Sequence, residues 1–123
     1  TIEVATMWSG VAELYFAVKE ALEPLCFVMA HFSHIYPHGA SVYFTCVAKS
    51  EDESGDERLH RKIWDAAMEV VLSHGAAVSH HHGIGCHKTP YLVRQMGGLI
   101  EVYRRLKRCL DPNNILNPAK MGL

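Results

Sequence analysis

The residues most able to do chemistry are three consecutive histidines that run into a glycine-flanked turn, Ser79-His80-His81-His82-Gly83-Ile84-Gly85. Histidine titrates near neutral pH, so it can transfer a proton or bind a metal ion. Successive side chains of an extended backbone point to opposite faces, which predicts that His80 and His82 project one way and His81 the other. Glycine on both sides of Ile84 would let a flat cofactor or a phosphate approach the backbone closely. A solvated histidine turn is the simpler alternative.

A second cluster of histidines and tyrosines precedes this turn in the chain: His31, His34, Tyr36, His38 and Tyr43. Histidine next to a tyrosine whose proton is made labile by a neighbouring charge would form a proton relay. A metal site is a second interpretation, because His34 and His81 could meet as nitrogen ligands across adjacent strands. No carboxylate accompanies them in the turn itself. Ordinary surface or core histidines are the third interpretation.

The composition is that of an ordinary globular domain. The chain has 123 residues, of which 49% are apolar and 20% charged, and its net charge is -1. A chain of this length fits one domain, residues 1–123, and no field of one sign is available to attract nucleic acid. No apolar run approaches the length of a membrane-spanning segment. The 4 cysteines contain no CxxC pair, which favours reduced thiols over a zinc ribbon.

Three helices are expected to position these residues. The first begins at Ser9, which would cap it, and ends before Pro24. The second follows the acidic loop Ser50–Glu57 and ends near His74-Gly75, where glycine supplies a left-handed cap. The third begins at Thr89-Pro90, is weakened at Gly97-Gly98, and carries an apolar stripe expected to be core: Leu92, Met96, Leu99, Tyr103, Leu106 and Leu110.

Apolar and β-branched runs predict the strands. Leu25–Phe32 and Ala40–Lys49 are expected to pair as antiparallel strands, and Ala76–Ser79 forms a third, shorter one. Thr1–Thr6 would add a strand before the first helix. The predicted fold class is therefore α+β, an antiparallel sheet with helices packed on one face in a ferredoxin-like or split βαβ arrangement, followed by a C-terminal helix and tail.

Two motifs carry a family resemblance. The sequence SHHHGIG, followed by LDPNNILNPAKM, resembles the C-terminal region of FAD-linked oxidases of the vanillyl-alcohol oxidase type. Members that oxidise 2-hydroxy acids such as D-lactate have a Glu-His pair where this chain has His81-His82. Their metal-dependent relatives hold a divalent cation with that glutamate and two histidines of an earlier hairpin. By motif, His34 falls on the first of these histidines, Tyr43 on the second and His81 on the glutamate. Two of the three ligands are therefore changed, which argues against the metal site of a 2-hydroxy-acid enzyme.

The triple histidine, the hairpin SHIYPHGASVYF and the opening TIEVATMWSGVAELY instead resemble the alkyldihydroxyacetonephosphate synthase branch. The resemblance implies that Tyr43 is an acid/base residue and that His81 and His82 act over the flavin. It implies a cofactor-binding role for four further residues, namely His80, Gly83, Gly85 and Asn117. The expected cofactor is FAD, held largely by a domain that would lie upstream of Thr1, so that residues 1–123 alone would be inactive.

The resemblance also implies substrates and partners. The expected substrates are an acyl-dihydroxyacetone phosphate and a fatty alcohol. Independently of the resemblance, the net charge predicts no nucleic acid partner, and an exposed sheet edge makes a homodimer possible. The last residues, Met121-Gly122-Leu123, are not a peroxisomal signal, which favours a bacterial cytoplasmic protein over a peroxisomal one. Two alternatives stay open: a D-lactate or glycolate dehydrogenase, and a non-catalytic metal-binding module that uses His34 and His81.

Overall fold

The computed structural model describes residues 1–123, apart from the side chain of Glu53. The chain forms two compact units, residues 1–81 and residues 82–123. The first unit holds an antiparallel sheet with two long helices, and the second holds two shorter helices and an irregular tail. The predicted α+β class is confirmed.

The first unit has three strands in the order β1-β3-β2. Its elements are β1 (Ile2–Met7), α1 (Trp8–Leu22), β2 (Phe27–Ser33), β3 (Gly39–Val47) and α2 (Glu53–Ser73). The central strand β3 is antiparallel to both neighbours and places Tyr43 opposite Glu3 on one side and opposite His31 on the other. The predicted antiparallel pair and the N-terminal strand are therefore confirmed, with small shifts at their ends.

The predicted strand Ala76–Ser79 is wrong, because this segment makes only a single bridge with the sheet. Ala77 and Ala5 exchange two backbone hydrogen bonds, of 2.8 and 3.2 Å, on the outer side of β1. The chain then bends, so the backbone donors of the next residues turn away from strand pairing. The bridge nevertheless lies where the fourth strand of a ferredoxin-like sheet would pair.

Alternate residues of the strands build the core. Ile2, Val4, Val42 and Phe44 lie on one face and are almost fully buried. The helices cover this face: Tyr15 of α1 stacks on Phe44 with ring centroids 6.4 Å apart. The opposite face carries the other half of each strand, including Glu3, His31, Ser41 and Tyr43, because side chains alternate along a strand.

The helix ends agree only partly with the prediction. Ser9 does not cap α1, because the helix begins one residue earlier and its N-cap is Met7, without a side-chain bond. Asp52 caps α2 by accepting a 2.6 Å bond from the amide of Gly55. The predicted end of α2 is confirmed, with Gly75 at φ 63°.

The second unit departs from the predicted single helix. It contains α3 (Thr89–Met96) and α4 (Leu99–Leu110), separated at Gly97, where φ is 53°. A positive φ removes this residue from the helical region, so the two glycines end one helix and start another. No helix in the described part of the chain is both long and apolar enough to cross a membrane.

The prediction that the apolar stripe of this region is core is wrong for α4. The four stripe residues in α4 are all exposed, by between 42% and 81%: Leu99, Tyr103, Leu106 and Leu110. In α4 the buried apolar residue is Ile100, which is not part of the predicted stripe. A unit of two short helices and a tail offers too little surface to cover a stripe on every turn.

Asp111 organises the tail that follows α4. Its carboxylate pairs with Lys107 and accepts the amides of Ile115 and Leu116 at 3.0 and 2.9 Å. Lys107 also donates to the carbonyl of Leu116 at 2.7 Å. The Lys107 bond, followed by the amide bonds, lowers the pKa of Asp111 to about 2.

The order of the tail is expected to depend on pH through Asp111. Because its folded pKa lies below the unfolded value, the stabilisation is present above about pH 4 and is lost as the pH falls through about 2. Asp111→Asn should remove most of this dependence and raise amide hydrogen exchange in residues 113–117 at neutral pH. Exchange measured across this pH range, corrected for its intrinsic pH dependence, checks the prediction. Glu20→Gln, at an exposed position of α1, is the control; the same pH dependence in Asp111→Asn and wild type would contradict it.

Candidate functional site

The site is built around a buried carboxylate, Glu3, on the sheet face opposite the helices. Glu3 is 0% exposed. The amide of His80 donates to both of its oxygens, at 2.8 and 3.1 Å, and the amide of His81 donates at 3.3 Å. Hydroxyl donors complete the shell, Ser79 at 3.2 Å and Ser41 of β3 at 3.4 Å. Glu3 thus joins β1 to β3 and to the segment that follows the Ala77 bridge.

Two histidine rings lie next to this carboxylate. Nδ1 of His81 is 3.3 Å from Oε1 of Glu3, and Nδ1 of His80 is 4.0 Å from the same oxygen. The two Nδ1 atoms are 3.2 Å apart. The predicted projection of His80 and His81 to opposite faces is therefore wrong, because the chain bends here instead of continuing as a strand. Both rings are partly accessible to solvent.

His34 completes a cluster of imidazoles. It follows β2, has a positive φ of 47°, and places its ring 4.1 Å from His81 and 5.3 Å from His80, between centroids. One nitrogen from each of these three histidines lies within 4.8 Å of the other two, and all three residues are exposed. The structure thus brings together His34 and His81, as the metal interpretation requires, and adds His80.

Tyr43 lies on the same face in the middle of the sheet. It is directly opposite Glu3 in the pairing of β1 with β3, and it is half-buried. The ring of His31 stacks on it from β2, with centroids 4.8 Å apart and an angle of 26° between the planes. Tyr43 and His81 therefore both neighbour Glu3, from β3 and from the histidine segment respectively.

An open groove of about 420 Å³ borders the cluster. Its lining is mostly apolar, with Tyr36, His38 and His80 as the ring-bearing residues. The indole of Trp8 fixes the hairpin at this edge by donating to the carbonyl of Tyr36 at 2.9 Å. A Cβ on Gly39 would lie 2.1 Å from the carbonyl oxygen of Thr6, so glycine is required for the hairpin to approach β1. The groove therefore has a fixed wall next to His80.

The remaining predicted site residues belong to the second unit. His82 is exposed, and Gly83 and Gly85 have φ of 75° and 55°. A Cβ at either glycine would meet nothing within 4 Å, so backbone conformation alone favours glycine there. Asn117 also has a positive φ, 47°, in the tail, and Met121 of that tail donates its amide to the carbonyl of Gly85 at 3.3 Å. Their contacts with a cofactor stay predictions.

Glu3 is the residue that sequence reasoning missed. It lies in the strand sequence Ile-Glu-Val-Ala, where it looks like the outward-facing member of an alternating strand. Its partners, residues 79–81, are far away in the chain, so no local motif connects them. The available signal was weak: an acidic residue among apolar neighbours is either exposed or held by several donors.

The comparisons identify the family. The family model described as FAD linked oxidases, C-terminal domain, matches residues 1–121. The chain belongs to this family. Because its members are FAD-linked, the prediction of FAD as the cofactor is confirmed, as is the resemblance from which it came.

Curated relatives of this FAD linked oxidase C-terminal domain have two kinds of activity. It is 33% identical over 115 residues to an alkyldihydroxyacetonephosphate synthase of Trypanosoma brucei brucei, covering 93% of the chain and 19% of the relative. The synthase of the same name from Dictyostelium discoideum is 30% identical over 117 residues, covering 94% of the chain and 19% of the relative. A mitochondrial D-lactate dehydrogenase (cytochrome) of Arabidopsis thaliana is 28% identical over 123 residues, covering 97% of the chain and 21% of the relative. The chain thus spans about a fifth of the length of the relatives it matches.

The side chains on this sheet face suit the ring of a flavin cofactor. Accessible imidazoles and a phenol on one face suit proton exchange with a flavin ring or a substrate beside it. The exposed glycine turn of the second unit leaves open space next to its backbone. The imidazoles and the phenol are thus the side chains of the first unit whose chemistry suits a flavin beside them.

Proposed function

We propose that this chain is the C-terminal part of an FAD-dependent enzyme that exchanges the acyl group of an acyl-dihydroxyacetone phosphate for an alkyl group, a step in ether-lipid synthesis. The single observation that carries the proposal is the position of Tyr43 and His81 on either side of Glu3. Tyrosine and histidine at these places suit proton transfer rather than the metal-assisted oxidation of a 2-hydroxy acid. The names of two of the most similar relatives agree with this chemistry.

The proposed roles of Tyr43 and His81 rest on their contacts. Tyr43 and His81 exchange protons with the substrate: one takes a proton from the reacting carbon, and it is returned after the fatty alcohol has replaced the fatty acid. Glu3 and the stacked ring of His31 hold these two side chains in place. From the family resemblance alone, His82 is proposed to act over the flavin, and His80, Gly83, Gly85 and Asn117 are proposed to contact the cofactor. FAD, when bound, supplies the reactive centre at which the group exchange takes place.

The proposal is tested by assaying the full-length protein that carries this chain. With an acyl-dihydroxyacetone phosphate and a labelled fatty alcohol, we expect label to enter the dihydroxyacetone phosphate product while one fatty acid is released per alcohol consumed. D-lactate and glycolate should leave the flavin spectrum unchanged. Absence of label incorporation, together with bleaching of the flavin by D-lactate, would reject the proposal in favour of a 2-hydroxy-acid dehydrogenase.

A second candidate function rests on the cluster of His34, His80 and His81, whose nitrogen atoms lie within 4.8 Å of one another. Imidazole nitrogens in this number and spacing suit a zinc ion, and a module of this kind would bind metal without catalysis. If this function is correct, the chain will bind zinc with one-to-one stoichiometry, and a chelator will lower its unfolding temperature.

His34→Ala tests the metal site directly. It should weaken zinc binding by about 10-fold or more, because losing a ligand costs at least as much as losing an outer-shell partner, which costs about 10- to 100-fold. His60→Ala, on α2 and outside the cluster, is the matched control. Titration calorimetry that finds no stoichiometric zinc, or equal affinity in both variants, would exclude the metal function.

A further inference from the structure

We propose that Cys26 and Cys46 form a reversible disulfide site, in which a peroxide oxidises the two thiols to a bridge across the open end of the β2–β3 hairpin. Both residues belong to the first unit, and both are free thiols in this structure. The inference is independent of the proposed function, since it involves neither the histidine cluster nor a lipid substrate.

The first step concerns position in the sheet. Cys26 directly precedes β2, and Cys46 lies near the end of β3, opposite Val28. Side chains two residues apart along a strand share a face, so Cys26 projects to the same face as Val28 and Cys46. Diagonal neighbours of this kind are close enough for their side chains to meet. The two cysteines therefore lie together at the end of the hairpin that is opposite to its turn.

The second step concerns contact between the two thiols. The side chains of Cys26 and Cys46 are in hydrogen-bond contact. The end of α1 holds Cys26 in this place, because the carbonyl of Leu22 accepts its amide at 3.0 Å and its thiol at 3.6 Å. Two sulfur atoms already in contact approach the bonding distance of about 2 Å by side-chain rotation, whereas distant thiols require movement of the backbone.

The third step concerns reactivity. Burial, and after it the neighbouring Cys26, raises the pKa of Cys46 to about 11, so this thiol keeps its proton at neutral pH. Because the thiolate is the nucleophile, Cys26 is the sulfur that attacks the peroxide and Cys46 is the one that completes the bridge. Cys46 also lines a cleft of about 260 Å³ together with Ile2 and Trp64, which gives a small oxidant access to the pair.

The reaction balances with one hydrogen peroxide for each disulfide. The sulfur of Cys26 attacks one peroxide oxygen, the O–O bond breaks, and the other oxygen leaves as water with the thiol proton, so that Cys26 becomes a sulfenic acid. The sulfur of Cys46 then attacks the sulfur of Cys26, the S–O bond breaks, and the hydroxide leaves as water with the proton of Cys46. The two thiols lose two electrons and two protons, and the peroxide is reduced to water. A dithiol reductant reverses the bridge by thiol–disulfide exchange.

Peptide mapping of the full-length protein tests the inference and needs no substrate. The protein is treated with hydrogen peroxide, its remaining thiols are alkylated, and its peptides are identified by mass spectrometry. We expect a linked pair of peptides that contains Cys26 and Cys46 and that disappears after treatment with dithiothreitol. Amide hydrogen exchange in β2 should slow by about 10-fold or more in the bridged protein, because the link keeps the strand beside β3 in opened states.

Single substitutions test the order of the two sulfurs. In Cys46→Ser, Cys26 should stop at the sulfenic acid, which dimedone traps, whereas in Cys26→Ser the thiol of Cys46 should stay reduced. Cys109→Ser, at an exposed position of α4, is the matched control and should form the bridge at the wild-type rate. Dimedone labelling of Cys46 in Cys26→Ser would contradict the assigned order.

The decisive outcome is read on the wild-type protein, so it does not depend on the folding of a variant. Peroxide that oxidises the exposed thiols of Cys86 and Cys109 without linking Cys26 to Cys46 would overturn the inference. Sulfenic acids that form separately on Cys26 and Cys46, with no linked peptides, would overturn it equally. Either result leaves the proposed alkyl exchange untouched, because that reaction is assayed separately with its own substrates.

Discussion

Replacing His81 by Ala, or Tyr43 by Phe, should slow alkyl exchange by the full-length enzyme about 100-fold or more. This is the usual contribution of a positioned acid or base. Each change removes the exchangeable proton. The amide of His81 still donates to Glu3, and the ring of Tyr43→Phe still stacks on His31, but His81→Ala also loses the ring contacts with Glu3, His80 and His34. The fold and the flavin content of each variant are therefore measured beside its turnover. The measurement is turnover at saturating substrate, with flavin content determined from the visible spectrum.

The matched control is His74→Ala, at the C-terminal end of α2. His74 also lies near a carboxylate, with Nε2 at 3.7 Å from Glu13, but it is outside the proposed site. Its turnover should stay close to that of the wild type. If His81→Ala and Tyr43→Phe retained flavin and turned over at near-normal rates, the assigned roles would be wrong.

Phe44→Ala is expected to have the largest effect on stability, lowering the free energy of unfolding by about 3–5 kcal/mol. Phe44 is fully buried at the centre of β3, opposite Ile2 on β1 and Ala30 on β2. Its ring also stacks against Tyr15 of α1. Alanine would leave a cavity between the sheet and that helix. The cavity would persist, because the paired strands and the helix can relax only partly around it. Urea unfolding followed by circular dichroism measures the change.

Phe27→Ala provides the comparison, because it is the same substitution at a residue that is 67% exposed at the start of β2. The expected change is about 0.5 kcal/mol or less. Equal losses for the two variants would show that the core is not where the burial pattern places it.

Much of the first unit could be predicted because its signals are local. The β-branched run of β3 and the apolar run of β2 indicate strands, and the glycine after α2 marks the end of that helix. Residues 76–79 show the limit of this reasoning. They resemble a strand in composition, but pairing with β1 extends over a single bridge before the chain bends toward Glu3.

The candidate site could be predicted in its parts but not in its arrangement. The sequence singles out Tyr43, His34 and the triple histidine because these residue types are unusual where they occur. It gives no hint that Glu3 binds residues 79–81, since these contacts join parts of the chain that are far apart in the sequence. The same reason explains the error about alternate projection: the rule for a strand does not apply to a backbone that bends to donate two amides to one carboxylate.

The exposed stripe of α4 shows a different limit. An apolar periodicity predicts that a face will be covered, and Leu106 and Leu110 have that periodicity, yet residues 82–123 leave them exposed. Periodicity does not say which part of a protein provides the cover. In a chain that spans about a fifth of the length of its relatives, the covering surface need not be part of the same segment.

The central claim is that Tyr43 and His81 transfer protons at one flavin-dependent site. Rapid mixing with absorbance detection tests it most directly. The full-length flavoprotein is mixed with an acyl-dihydroxyacetone phosphate, without fatty alcohol, and the flavin absorbance is followed in the wild type and in His81→Ala and Tyr43→Phe. We predict rapid bleaching in the wild type and a rate lower by about 100-fold or more in each variant. Equal rates in all three proteins, or bleaching by D-lactate and not by the acyl substrate, would contradict the claim.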